Sequence, residues 1–161
     1  GIGPFVFGTD GRGASNLIVE SGASRKPQPS GSVYFDEHGN PRSESHLYMN
    51  GGEIFTFTLE RVPATVNELL AKVGFRMENI DAFVFHQANK YMLDFLRKSC
   101  GIPEKKFYVC LRHVGNTVSS TIPIALRHAL DEQFIKPGAL VMLVGFGVGY
   151  SWGATLVRWV A

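Results

Sequence analysis

The sequence predicts an α/β fold in which crossover helices cover a mixed sheet. Two short apolar runs, Ala82–Phe85 and Leu140–Phe146, are typical of strands that are buried on both faces of a sheet. Segments with helical spacing of apolar residues lie between these strands, and this alternation is the pattern of β-α-β crossovers. The first part of the chain differs, because strand and loop patterns dominate there. We therefore predict a single α/β domain over residues 1–161.

The chain opens with strands, a turn and a loop. Residues 4–8 and 16–21 are predicted strands on either side of a turn at Thr9–Gly13. Residues 22–46 are rich in glycine, serine, proline and charge, which predicts a long surface loop with one short strand at Val33–Phe35. Loops of this length are usually functional or mobile.

Two helices are predicted before the first buried strand. Gly51–Glu60 forms one of them, and a second begins with Pro63 in its first turn, where proline is tolerated. The second helix ends at Gly74. Its apolar face has the i, i+3, i+4, i+7 spacing and consists of Val66, Leu69, Leu70 and Val73.

The later elements follow from the same signals. Gly101 and Pro103 stop one helix, and Pro123 lies in the first turn of another. In chain order the predicted elements are a helix over Asn89–Cys100, a strand over Phe107–Leu111, a helix over Ser120–Phe134, a tight turn at Gly147–Gly149 and a final strand over Tyr150–Val160.

Composition excludes several classes of protein. The formal net charge of +2 is too small to indicate nucleic-acid binding, and no apolar run approaches the roughly 18 residues of a membrane span. The histidines show no metal-binding spacing. Cys100 and Cys110 form neither a CxxC pair nor a disulfide framework, so we expect a cytoplasmic protein. Gly1 is not a methionine and leads directly into an apolar segment, so we expect the N-terminus to be a cut.

His86 is the first candidate for chemistry. It closes the strand Ala82–Phe85 and opens the string His86-Gln87-Ala88-Asn89. A lone histidine after an apolar strand is more often a core residue that is hydrogen-bonded to backbone. The carboxyl end of a strand is, however, where α/β sheets place ligands, and the polar string that follows suits a helix start that solvent can reach.

Asn116 is the second candidate. Gly115-Asn116-Thr117 reads equally well as an ordinary turn, because asparagine tolerates left-handed backbone. The turn precedes the predicted Ser120 helix, whose N-terminus favours a developing anion. A neutral histidine and an asparagine amide can together donate two hydrogen bonds to one oxygen. The pair therefore suggests stabilisation of a thioester enolate.

The glycine runs and the cysteines carry less information. Gly145–Gly149 lacks the following helix and the Lys-Ser/Thr ending of a phosphate loop, so we interpret it as a strained turn whose N–H groups can point into a site. Cys100 is predicted at a helix C-terminus, where the dipole raises a thiol pKa, and Cys110 within an apolar strand. Both are interpreted as small core residues, and neither as a nucleophile.

Three motifs in order resemble the C-terminal half of a β-ketoacyl-acyl carrier protein synthase III, a member of the thiolase superfamily. They are the His86–Asn89 string, Gly115-Asn116-Thr117 and the tail Gly147–Gly153. The resemblance extends over the whole chain. Thr9-Asp10-Gly11 with Gly22–Arg25 resembles the segment before the family's substrate loop, and Met49–Phe55 resembles the helix that lines its acyl tunnel.

The resemblance implies a Cys–His–Asn triad of which His86 and Asn116 are the last two members. The cysteine of the family lies on the N-terminal half, which is absent from this chain. The implied reaction moves an acyl group from coenzyme A to that cysteine and then condenses it with malonyl-acyl carrier protein after loss of carbon dioxide, in fatty acid or related biosynthesis. No cofactor and no metal are implied, and the full-length protein is expected to be a homodimer. The resemblance places further residues around the substrate, with the N–H of Val148 in the oxyanion hole: Asn89, Phe146, Val148, Gly51 and Phe55.

Some positions depart from the family pattern, and other functions stay open. Val148 replaces a typical glycine, Tyr91 stands where many members carry a basic residue for the carrier protein, and residues 22–46 are longer than in compact members. Lys90 is a candidate substitute for that basic residue. We expect the chain alone to be inactive, and His86 Nε2 to lie within about 5 Å of the Asn116 amide. The alternatives are acyl transfer to an alcohol or amine, and a non-catalytic module that packs on a partner through apolar surface from 82–85 and 140–146.

Overall fold

A mixed four-stranded sheet forms the centre of the molecule. The computed structural model describes residues 1–160. Its strands are β1 (Ile2–Thr9), β2 (Leu17–Ile18), β3 (Tyr34–Phe35), β4 (Pro41–Arg42), β5 (Tyr48–Met49), β6 (Ala82–Phe85), β7 (Leu140–Gly147) and β8 (Ser151–Arg158). Its helices are α1 (Gly51–Val73), α2 (Lys90–Ser99), α3 (Leu111–Val114) and α4 (Thr121–Asp131), and short 3-10 turns connect several of them.

The sheet has the strand order β1-β8-β7-β6. β6 runs parallel to β7, with Phe85 opposite Val144, while β7, β8 and β1 are antiparallel neighbours. The parallel pair is connected by way of α2 and α4, so the predicted α/β architecture with crossover helices is confirmed. Because β6 and β7 run parallel, their carboxyl ends lie at the same edge of the sheet.

Two apolar clusters cover the two faces of the sheet. Phe83 and Phe85 of β6 point to α1 and α2, whereas Ala82 and Val84 point to α4, as the alternation of a strand requires. Both predicted apolar strands are thus buried inside the domain, and they do not supply the exposed face that the packing-module hypothesis needed. The exposed apolar side chains of the sheet lie on β1 instead, where Phe5 and Phe7 stack with ring centroids 5.2 Å apart.

A single helix, α1, replaces the two helices predicted around Pro63. It has 23 residues and contains Pro63 in its interior, so the prediction of a break was wrong. Proline removes one main-chain hydrogen bond, but the helix keeps one continuous buried face on both sides of it. Packing of that face against the sheet outweighs the lost bond. The residues of the face are Phe57, Val62, Val66, Leu69 and Leu70.

The ends of α1 agree with the sequence signals. Asn50 caps the first turn, since its Oδ1 accepts a hydrogen bond from the Glu53 N–H at 3.2 Å. Gly74 ends the helix with a φ of 69°, the left-handed conformation that glycine adopts without a steric penalty.

The predicted strand over Phe107–Leu111 is absent. One parallel bridge joins Phe107 to Phe83, and Leu111 already begins α3. The buried carboxamide of Gln87 replaces the missing ladder: its Oε1 accepts from the Cys110 N–H at 2.9 Å, and its Nε2 donates to the Phe85 carbonyl at 2.8 Å. A side chain therefore satisfies backbone groups that a longer strand would have paired.

Several boundaries differ from the predictions in smaller ways. β1 is longer than residues 4–8, the strand predicted over 16–21 shrinks to Leu17–Ile18, and α4 ends before Phe134. Residues 22–46 contain the predicted short strand as Tyr34–Phe35, paired with Pro41–Arg42. The carboxylate of Asp36 organises this hairpin by accepting hydrogen bonds from the loop that follows it.

Candidate active site

His86 directly follows β6 at the carboxyl edge of the sheet. Its N–H donates to the Val144 carbonyl of β7 at 2.8 Å, which continues the parallel pairing by one residue. Its imidazole lies edge-on against the ring of Phe146, with centroids 5.2 Å apart. The structure therefore brings together two of the predicted site residues from two neighbouring strands.

The inner side of the imidazole contacts the start of α4. His86 Nδ1 lies 2.6 Å from Thr121 Oγ1, and the Thr121 hydroxyl lies 2.9 Å from the Val118 carbonyl, to which it donates. Thr121 is only 1% exposed, so this network is shielded from solvent. Burial lowers the pKa of His86 below its ordinary value, and the nearby Val118 carbonyl opposes that shift. Because the ordinary value is about 6.5, the imidazole is neutral at pH 7.

Asn116 lies on the loop that leads into α4. Its Oδ1 accepts a hydrogen bond from the Val118 N–H at 2.8 Å, which fixes the carboxamide in an Asx turn. The side chain is exposed, and no acceptor within residues 1–160 engages its Nδ2. The amide N–H groups of Asn116 are thus available to a ligand.

Val118 connects the two candidate residues. Its N–H holds Asn116, and its carbonyl receives the hydroxyl of Thr121, which in turn contacts His86. The backbone of Val118 has a φ of 55°, which is unusual for a β-branched residue, and its side chain is 71% exposed. Such strained backbone persists only where its surroundings enforce it. Here the enforcing contacts are the hydrogen bonds of Val118 to Asn116 and to Thr121.

Val148 lies in the turn that joins β7 to β8. Its side chain is exposed, and its carbonyl accepts a hydrogen bond from Ser151 Oγ at 2.8 Å. No hydrogen bond to the Val148 N–H occurs in the part of the chain that the structure describes. Val148 follows Phe146 by two residues, so its free N–H lies at the same edge of the sheet as His86.

The other predicted substrate residues lie elsewhere along the elements. Asn89 caps α2, with its Oδ1 accepting from the Met92 N–H at 2.8 Å, so the structure shows a helix-capping role for it. Phe55 packs against α2, and its ring centroid lies 5.8 Å from that of Tyr91 and 5.6 Å from that of Phe95. Gly51 opens α1 and lines a cavity of about 620 Å³, and neither His86 nor Asn116 is part of that lining.

Neither cysteine is a candidate nucleophile. Cys100 ends α2, where burial raises the pKa of its thiol to about 12. Cys110 precedes α3, so its predicted place in a strand was wrong, and burial raises the pKa of this thiol as well. The thiolate is the reactive form of cysteine, and both sites disfavour it. These directions agree with the interpretation of both residues as small core residues.

Two residues of the site were missed by sequence reasoning. Thr121 and Val118 follow Asn116 closely, but only the folded chain shows that Thr121 contacts the imidazole of His86 and that Val118 is hydrogen-bonded to Asn116 and Thr121. A threonine at a helix start after a Gly-Asn turn was the sole available signal.

Within residues 1–160 no group of three His, Cys, Asp or Glu side chains is placed to hold a metal ion. None of the helices described is both long and apolar enough to cross a membrane.

The architecture places the chain among the thiolase-like α/β proteins, as the sequence predicted. Within that class, the chain belongs to the 3-oxoacyl-[acyl-carrier-protein] synthase III family. The family model described as "3-Oxoacyl-[acyl-carrier-protein (ACP)] synthase III C terminal" matches residues 70–159, more than half of the chain.

Individual relatives agree with that assignment. The β-ketoacyl-[acyl-carrier-protein] synthase III of Natranaerobius thermophilus is 36% identical over 159 residues, a match that covers 99% of this chain and 46% of the relative. A crystal structure of a 3-oxoacyl-(acyl-carrier-protein) synthase III has a TM-score of 0.94 at 53% identity and covers 98% of this chain and 48% of that one. For the synthase III from Thermus thermophilus the TM-score is 0.82 at 35% identity, with coverages of 99% and 46%. The chain thus spans about half the length of the relatives it matches.

Proposed function

We propose that this chain is the C-terminal portion of a 3-oxoacyl-[acyl-carrier-protein] synthase III, and that His86 and Asn116 stabilise the enolate formed from malonyl-acyl carrier protein. The observation that carries the proposal is the connection of both residues to Val118, at the carboxyl edge of the sheet. Membership of the family supports it, since the relatives are named as β-ketoacyl-[acyl-carrier-protein] synthases.

The nucleophile comes from the N-terminal portion of the complete enzyme in this proposal. Both cysteines of the present chain have raised pKa values, which supports assigning the acyl-accepting thiolate to another segment. The thiolate attacks the carbonyl carbon of an acyl-coenzyme A, the carbon–sulfur bond to coenzyme A breaks, and coenzyme A leaves as its thiolate. An acyl-cysteine remains.

The second stage uses the groups described above. The carboxylate of malonyl-acyl carrier protein leaves as carbon dioxide, and the electron pair of the broken carbon–carbon bond passes into the thioester as an enolate. The free Nδ2–H of Asn116 donates to the enolate oxygen, and the imidazole of His86 stabilises the same oxygen. The enolate carbon then attacks the acyl-cysteine, whose carbonyl oxygen receives the free N–H of Val148, and the cysteine thiolate is released. Phe146 forms an apolar wall beside His86.

The remaining predicted residues are assigned to the rim of the site. Gly51 and Phe55 at the start of α1 are proposed to contact the acyl chain, and Asn89 to lie against the substrate while it caps α2. Lys90 and the exposed ring of Tyr91 are proposed to meet the carrier protein at the start of α2. The reaction as written needs no resident cofactor or metal.

The same proposal predicts which contacts this chain makes in the complete enzyme and in which compartment the enzyme works. The apolar face formed by Phe5 and Phe7 is assigned to contact with the N-terminal portion, because two stacked aromatic rings are otherwise left in water. We further propose a homodimer in the cytoplasm. The two free cysteines suit a reducing compartment.

The test uses the complete enzyme, in which this chain is joined to its N-terminal portion. With an acyl-coenzyme A and malonyl-acyl carrier protein, we expect equal amounts of carbon dioxide and β-ketoacyl-acyl carrier protein. His86→Ala and Asn116→Ala are each expected to lower the formation of both products about 10²–10³-fold and to retain acylation of the enzyme, measured by mass spectrometry. The matched controls His128→Ala and Asn67→Ala change residues outside the site and are expected to keep full activity. An ester or amide product without release of carbon dioxide contradicts the proposed reaction.

A further inference from the structure

We propose that Thr121 is a positioning residue that holds the neutral imidazole of His86 in the Nδ1–H tautomer. In that tautomer the proton lies on the nitrogen that contacts α4, and Nε2 carries a lone pair. The assignment of tautomer stands on the geometry alone, whereas its importance for the reaction rests on the proposed function.

The number of protons in this network fixes the tautomer. The Val118 carbonyl carries none and can only accept. The Thr121 hydroxyl carries one, and it donates that proton to the Val118 carbonyl across 2.9 Å. Thr121 therefore has no second proton for His86, and its oxygen must accept in the 2.6 Å contact to Nδ1. The proton in that contact belongs to the imidazole.

The opposite arrangement is unfavourable. If Thr121 donated to His86, its oxygen and the Val118 carbonyl would face each other at 2.9 Å with lone pairs only. The Val118 carbonyl would then lose its donor, and the two oxygens would repel each other beside a threonine that is only 1% exposed.

One expectation from the sequence changes as a consequence. Neutral His86 was expected to donate a hydrogen bond beside Asn116, but the Nδ1–H tautomer offers only a lone pair at Nε2. Asn116 is then the neutral donor of the pair. His86 first takes up at Nε2 the proton that the cysteine thiol of the N-terminal portion releases on forming its thiolate, and the resulting imidazolium ion then donates to the enolate oxygen. Thr121 sets this order by accepting from Nδ1 in both states.

Nitrogen NMR on the complete enzyme tests the tautomer. In protein labelled with ¹⁵N-histidine, two-bond correlations to the ring protons distinguish a protonated from an unprotonated ring nitrogen, and the spectrum of His86→Gln identifies the His86 signals. We expect a protonated Nδ1 and an unprotonated Nε2 at pH 8. We expect Thr121→Val to shift the population towards the Nε2–H tautomer, and Thr121→Ser to retain the wild-type pattern. A wild-type Nε2–H tautomer, or a Thr121→Val spectrum identical to wild type, overturns the proposal.

Kinetics provides the readout of positioning. Thr121→Val is expected to lower kcat of condensation about tenfold or more with little change in KM for malonyl-acyl carrier protein, whereas Thr121→Ser keeps most of kcat. Thermal unfolding of both variants checks that the fold persists. If the tautomer is as proposed but the wild-type enzyme forms no β-ketoacyl product, the proposed function fails and the assignment of Thr121 stands. If condensation proceeds with a wild-type Nε2–H imidazole, the assignment fails and the proposed function stands.

Discussion

The imidazole of His86 lies edge-on against the ring of Phe146, with centroids 5.2 Å apart and an angle of 80° between the planes. His86 follows β6, and Phe146 lies near the end of β7. Because these strands are parallel neighbours, the sheet itself brings the two residues together. An aromatic neighbour excludes water from one side of the imidazole. This contact therefore contributes to the burial that lowers the pKa of His86.

Phe146→Ala is expected to raise the pKa of His86 towards its ordinary value. Removal of the ring admits water to the imidazole, and water stabilises the charged form. An NMR titration of the His86 ring protons in wild type and variant measures the shift. Phe95→Ala serves as the control, because the Phe95 ring packs on Phe55 in a different part of the molecule. A His86 pKa that is the same in Phe146→Ala and wild type would show that the ring does not contribute.

Acidification is expected to destabilise the chain through His86. Because the pKa of His86 is lowered in the folded state, the unfolded state binds more protons below about pH 6.5. The free energy of unfolding then falls as the pH drops from 6.5 through the folded pKa, by at most about 1.4 kcal/mol per pH unit. Urea titrations between pH 8 and pH 5.5 measure the loss, and His86→Gln is expected to reduce it.

Carboxylates act in a lower pH window and do not obscure this effect. Hydrogen bonds hold the pKa of Asp10 at about 2, first of all from the Arg12 side chain. A hydrogen bond from the Asn40 backbone is the main cause that lowers the pKa of Asp36. A hydrogen bond from the Lys26 side chain is the main cause that lowers the pKa of Glu44. Their ordinary values are about 4, so the stability that they contribute is lost only below that pH. An equally steep loss in His86→Gln between pH 8 and pH 5.5 would contradict the role of His86.

Gly13→Ala is expected to destabilise the fold by about 1–3 kcal/mol. A Cβ at Gly13 would lie 2.2 Å from the ring of Tyr150, which is stacked on Phe57 with centroids 4.1 Å apart and receives a hydrogen bond from Asn16 at 2.7 Å. The ring cannot move without loss of both contacts. Urea unfolding measures the change. Gly11→Ala is the matched control, because a Cβ at Gly11 meets no atom within 4 Å.

Cys100→Ala and Cys110→Ala are expected to leave condensation by the complete enzyme intact. Burial raises the pKa of both thiols, so neither forms a thiolate at neutral pH. Alkylation by iodoacetamide at pH 7.5 should accordingly be slow at both positions in the folded protein and fast in urea, as followed by mass spectrometry. Loss of acylation in either variant would instead assign the nucleophile to this chain.

The fold class could be predicted because the deciding signals are local. The apolar runs that became β6 and β7 and the stop at Gly74 depend on short stretches of sequence. The prediction at Pro63 was wrong because a proline usually marks a helix start. Here the packing of α1 on both sides of Pro63 keeps the helix continuous, and that packing cannot be read from the local sequence. The strand predicted over Phe107–Leu111 was wrong for a related reason. The carboxamide of Gln87, and not a neighbouring strand, satisfies the backbone of Tyr108 and Cys110.

The candidate site could be predicted only in part. His86 and Asn116 were found because each stands at the end of a recognisable motif, and a strand end with a helix start indicates where ligands bind in α/β sheets. Thr121 and Val118 carry no such signal. Their roles depend on a hydrogen-bond network between β6 and α4, and on a backbone conformation that a β-branched residue adopts only under constraint.

The central claim is that His86 and Asn116 serve one enolate oxygen, and a double-mutant cycle tests it most directly. The measurement is release of carbon dioxide from malonyl-acyl carrier protein by the acylated complete enzyme, in wild type, His86→Ala, Asn116→Ala and the double variant. We expect each single change to lower the rate about 10²–10³-fold. The double variant is expected to lose little more than either single variant, because residues that act as one unit are strongly non-additive. Losses that simply multiply in the double variant would contradict a shared oxygen.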